Sequence, residues 1–245
     1  MRVHSWLNKV RPTVFVLTDG SGHGDRGRIG STADVLTSAG AAKGSIFGRL
    51  TDRQAYELIL EHRTEELKGL VRELADGLEQ LRPAYVLSDA VEGLNPVHDL
   101  CCVLTVAALE LLFSRFAIRV DHYEFVLAEA PAARRSKNED TIFYRLSDAE
   151  LQRKLDRARD YAELRPEVDS ALAAWGEEAF RLEVLHPVKS PRSLQEIVGE
   201  RPSYEAFGAR RLEEGVYSTL LQFHQHFEPV ASSILEWSGA IRPLP

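Results

Sequence analysis

At 245 residues, 44% hydrophobic and 27% charged, the chain is long enough to bury a full core and has the ordinary composition of a soluble globular protein. Thirty Lys and Arg against 37 Asp and Glu leave a net charge of −7, which argues against a nucleic-acid or anionic-membrane partner. No apolar run approaches the roughly 20 residues that span a bilayer, and Met1–Trp6 lacks a secretory apolar stretch, so the expected location is the cytoplasm.

Val3, Trp6, Leu7 and Val10 recur at helical spacing and predict a helix over residues 2–10, stopped by Pro12. Residues 13–18, with Val14-Phe15-Val16-Leu17 at their centre, predict a strand that ends at Asp19-Gly20. Helices are predicted over 31–40 and 54–81, the second carrying Leu58, Leu67, Leu70, Val71, Leu74, Leu78 and Leu81. Tyr85-Val86-Leu87 predicts a short buried strand that stops at Ser88-Asp89, and a polar loop over 90–97 leads to the apolar helix Leu100–Phe116. Val120 and Tyr123–Leu127 read as further strand. Beyond Glu129 the pattern predicts a polar loop over 131–140, then a helix over 147–162. Ser147 and Glu150 form a capping box at its start. A helix over 167–180, a loop over 189–203 and a last helix over 217–237 complete the chain. The alternation predicts an α/β fold, with a Rossmann-like, mostly parallel sheet and helices on both faces over residues 1–130. A largely helical extension over 131–245 packs on that core.

Two polar clusters follow predicted strands, where ligands of open α/β sheets lie. The first runs from Asp19 to Arg28 and contains four glycines. Its Gly22–Gly27 segment matches the G-x-G-x-x-G dinucleotide pattern, but the next helix starts too late for a true fingerprint. The glycines are read as shaping a substrate loop, with Arg26 or Arg28 as an anion or sugar contact. A nucleotide- or S-adenosylmethionine-binding enzyme is the less favoured alternative. The second cluster, Ser88–Asp99, gathers Asp89, Glu92, Asn95, His98 and Asp99. His98 is a candidate metal ligand or general base, with Asp89 or Asp99 orienting its ring. The competing expectation is that Asp99 caps the helix and His98 packs beside it. His122 and Glu124 share one side of a strand and form a weaker candidate site. Cys101 and Cys102 are adjacent on a helix and point to different sides, so they read as small buried apolar residues. His224 and His226 diverge on a helix and read as surface or packing residues.

Leu17-Thr18-Asp19-Gly20, Arg28, Ile46-Phe47-Gly48-Arg49-Leu50-Thr51-Asp52 and Asn95-Pro96-Val97-His98 together resemble, in order and spacing, the LmbE/PIG-L family of zinc-dependent N-deacetylases, over roughly residues 3–128. The resemblance implies a metal-dependent amide hydrolase acting on an N-acylated sugar or small polar amide. It implies zinc as cofactor, His98 as metal ligand, Asp19 and Asp99 as catalytic groups, and Arg28, Asp52, Glu92 and Asn95 as substrate contacts. Asn95 and Val97 stand where the family carries His and Asp, and the family's opening strand with Ala-His-Pro-Asp-Asp-Glu has no counterpart here. The first strand of a doubly wound sheet is central, so its absence is expected to leave Val14–Leu17 and Tyr85–Leu87 facing a gap. A longer native chain fills that gap, or another chain fills it, or the sheet closes over it. In the last case a non-catalytic protein that binds a small ligand or a partner remains. Homo-oligomerisation stays open.

Overall fold

The computed structural model describes residues 3–22, 27–127, 140–188 and 202–241. His23–Arg26, most of the 131–140 loop and most of the 189–203 loop lie outside them. The fold is α/β, with small sheets that are parallel or mixed and helices around them. Helix α1 (His4–Val10) leads into strand β1 (Thr13–Thr18), followed by α2 (Ile29–Ala39) and β2 (Ala42–Leu50). Next come α3 (Asp52–Leu60), α4 (Thr64–Leu81), β3 (Tyr85–Asp89), α5 (Pro96–Phe116) and β4 (Asp121–Phe125). The remainder contributes β5 (Ile142–Arg145), α6 (Asp148–Asp160), α7 (Arg165–Trp175), β6 (Leu182–Pro187), α8 (Ser203–Glu213) and α9 (Glu228–Ser238).

The strands fall into two sheets. β1 pairs with β2 in parallel, and a second sheet has the order β3-β4-β6-β5, with β3 parallel to β4 and β6 antiparallel to both β4 and β5. Strand alternation sorts the helices onto faces. Leu17, Phe15 and Val86 join a core with α3, α4, α5 and α9, whereas Tyr85 points the other way and its hydroxyl accepts a 2.7 Å hydrogen bond from the Trp6 indole of α1. A smaller cluster, Leu146, Leu151, Leu155 and Phe180, holds the 140–188 segment together.

Several expectations change in detail. The predicted 54–81 helix is two helices. A capping box at Thr51 and Gln54 starts α3, and His62 takes a left-handed φ of 52° that ends it before α4. α7 stops at Gly176, and the predicted last helix begins only at Glu228, after a π-helical turn over Phe223–Phe227. The segment after residue 130, expected to be mainly helical, also supplies β5 and β6. α5 corrects the expectation about apolar runs, because its 21 residues are long and apolar enough to cross a bilayer by length and composition. Its apolarity on all sides follows from its place in the core, where α4, α9 and β3 pack against it.

Candidate functional site

A cavity of about 870 Å³ lies between β1 and β3. Its body is apolar, walled by Val14, Val16, Leu36, Leu74, Leu78 and Leu87, while Asp19, Arg28, Asp52, Asp89, Asn95 and His98 also line it. Both polar clusters singled out in the sequence therefore reach one cavity.

The first cluster is a folded-back turn. Asp19 N–H donates to Leu50 O at 2.8 Å, and its carboxylate accepts from Ser21 N–H at 2.9 Å. Arg28 N–H returns to Asp19 O at 2.7 Å, and Arg28 Nε donates to Gly20 O at 2.6 Å. Gly20 has φ +70°, and a Cβ there would sit 3.1 Å from Arg28 Nε, so this turn needs glycine. Asp52 Oδ2 accepts from Gly22 N–H at 2.5 Å and so ties the start of α3 to the loop. Arg28 thus holds the turn through its Nε while its side chain lines the cavity.

The second cluster is built around the start of α5. Asn95 caps that helix by accepting from Val97 N–H at 2.8 Å, with Pro96 at its first position. His98 follows on the first turn, and its Nδ1 lies 2.8 Å from Asp89 Oδ2 at the end of β3. The His98 side chain is 45% exposed and the Asp89 side chain 20% exposed, so the pair faces the cavity rather than the core. Burial disfavours the charged ring, but the hydrogen bond and charge of Asp89, with Asp99 and Glu92 behind it, outweigh burial and hold the imidazole above its usual pKa.

Asp99 and Glu92 are placed differently from the expectation. Asp99 is buried and does not line the cavity; its carboxylate accepts from Glu92 N–H at 2.8 Å and Gly93 N–H at 3.1 Å. Desolvation pushes its carboxyl up to about 6 against those bonds. It shapes the 90–95 loop rather than presenting a group to substrate. Glu92 Oε2 accepts from Leu127 N–H at 2.6 Å and ties that loop to the chain after β4. Between the two candidate orienters of His98, the geometry selects Asp89.

Sequence reasoning missed Tyr161, whose hydroxyl lies 2.9 Å from Thr32 Oγ1 beside Arg28, both in the cavity wall. It comes from the turn after α6, and no local signal links a residue 129 positions from Thr32 to that wall. His122 and Glu124 do share a face, but both are buried. His122 Nε2 meets Ser88 Oγ at 2.8 Å, and burial pushes the ring pKa down to about 4, so it is a neutral packing group. Cys102 is buried and its thiol is pushed up to about 12 by desolvation, which makes it inert. His224 is exposed beside Glu228 and His226 is buried against the His62 ring.

Catalytic zinc normally takes three protein ligands and a water. Among the described residues no group of three His, Cys, Asp or Glu side chains converges in that way, and His98 offers one imidazole. The described donors therefore do not make up a zinc site by themselves. In comparisons with known proteins, no family model, no curated protein and no solved structure matches the chain.

Proposed function

We propose that the polar rim of the cavity binds a small, sugar-like polar amide and that the Asp89–His98 pair transfers a proton during its hydrolysis. The 2.8 Å Asp89–His98 contact at a half-exposed position carries this reading. With Nδ1 facing Asp89, Nε2 is the ring nitrogen left for substrate. The Asp89 hydrogen bond and charge hold the imidazole above its usual pKa and so favour its protonated form, which suits it to protonate a leaving amine or to steady a developing oxyanion. Arg28 and the Asn95 side-chain amide supply donors, and Asp19 and Asp52 supply acceptors, for hydroxyl and carbonyl groups. A Rossmann-like arrangement belongs to the same proposal. β1–α2–β2 and β3–α5–β4 are parallel β-α-β units, and the polar residues follow the carboxyl ends of their first strands. The zinc implied by the family resemblance has no complete donor set here, so the scheme assigns chemistry only to protein groups.

N-acetylglucosamine is the probe, with binding followed by calorimetry and hydrolysis by acetate release. Binding should weaken at least tenfold in Arg28→Ala. Acetate release should fall about 10²- to 10⁴-fold in His98→Ala with binding largely kept. No binding to wild type, or unchanged release in His98→Ala, contradicts the proposal. Binding without any release supports a non-catalytic ligand-binding protein.

A further inference from the structure

The cavity between β1 and β3 reaches well past the polar rim that holds Arg28 and His98. It is lined by every residue from Pro12 to Gly20 and from Pro83 to Asp89, the full length of both strands. β1 pairs only with β2, and β3 only with β4, among the described residues, and no backbone hydrogen bond joins β1 to β3. Two strand edges thus face each other with open ladders across an apolar space. The space also has a floor and a roof. Leu74, Leu78 and Leu81 of α4 close one face. Val3, Trp6, Leu7 and Val10 close the other, so the apolar stripe around α1 points at a void instead of at a strand.

A small apolar ligand could fill volume here but could not satisfy two rows of backbone N–H and C=O groups. An extended polypeptide satisfies both rows at once, at about 4.8 Å from each edge. α1 says where that strand comes from. It crosses the slot and then enters β1, the route of the connecting helix in a β-α-β unit whose first strand lies in the slot. The first-turn amides of α1 are already fixed, with Ser5 N–H and Trp6 N–H each donating to the buried Glu183 carboxylate at 3.0 Å.

We propose that the slot between β1 and β3 takes a β-strand of five or six residues from the polypeptide leading directly into α1, running parallel to β1. Helices cover both of its faces, so its sequence is a near-continuous run of β-branched and other apolar residues rather than an alternating one. Once seated, it joins the two sheets into one, in the order β2-β1-strand-β3-β4-β6-β5. The proposal does not rest on the chemistry assigned to His98.

The test is intact mass and N-terminal sequencing of the protein purified from its own cells, followed by hydrogen exchange on the same material. The expected result is a chain longer than 245 residues. Its added residues carry an apolar run ending within a few residues of Met1, and the amides of β1 and β3 exchange as slowly as those of α5. A native chain that begins at Met1 overturns the proposal. So does protection of β1 and β3 by a co-purifying partner peptide, which would place the source elsewhere.

Discussion

His98 and His122 show how one residue type takes opposite roles from its surroundings. His98 is half exposed and faces a carboxylate; His122 is buried against a serine hydroxyl and faces no carboxylate in its hydrogen bonds. Their pKa values move in opposite directions, up for His98 and down to about 4 for His122. The lowered His122 value has a stability consequence with a definite sign. Above pH 6.5 the ring is neutral in both folded and unfolded chains. As pH falls from 6.5 toward 4, only the unfolded chain gains the proton, so the native state loses up to about 3 kcal/mol at roughly 1.4 kcal/mol per unit. Asp99, raised to about 6, acts in the opposite sense, because the folded chain binds its proton first and gains stability as pH falls through that range. The His122 effect is therefore read as a difference. Between pH 7 and 4.5, wild type should lose 2 kcal/mol or more relative to His122→Gln in denaturant unfolding, and parallel curves for the two proteins would refute the assignment. The polar cluster around His98 was legible from its place between a strand and a helix. The choice of Asp89 over Asp99 was not, because both flank the histidine in sequence and only the loop geometry turns Asp99 inward onto Glu92 and Gly93.

Among the elements, several helices were legible from periodicity and caps, as at Ser147, where Glu150 completes the capping box in the structure as in the sequence, whereas α8 was not expected. The break between α3 and α4 was hidden because the leucine stripe runs through it, and His62 adopts its left-handed turn without a glycine to announce it. β5 and β6 escaped notice for a different reason. β6 carries Glu183 and His186 buried among apolar residues, so its pattern is neither an apolar run nor a clean alternation. Glu183 is buried where two elements, α6 and α1, converge on its carboxylate. Lys154 of α6 lies 3.0 Å from its carboxylate and also donates to Phe180 O at 2.9 Å, while the start of α1 donates two amides. Lys154→Met should cost about 3–5 kcal/mol in denaturant unfolding, since it leaves the Glu183 charge buried without its cation. A loss under 1 kcal/mol would mean that the clamp on α1 does not depend on the ion pair.

For the whole molecule, the α/β class followed from the alternation of predicted strands and helices, whereas the gap between Val14–Leu17 and Tyr85–Leu87 was expected only through the family resemblance and its central first strand. The structure shows that space open, with β1 and β3 on its two sides. The sequence could not show that the sheets stay apart, because whether helices close over a missing layer depends on packing around it. Here α1 and α4 hold the space from opposite faces. The measurement that tests this most directly is backbone hydrogen exchange on the 245-residue chain, resolved over Thr13–Thr18 and Tyr85–Asp89. Outward-facing amides on the open edges of β1 and β3 should exchange far faster than those of α5, because they lack strand partners. Protection across both strands equal to that of α5 would mean that the 245-residue chain closes the gap itself, and the account of an open slot would be wrong.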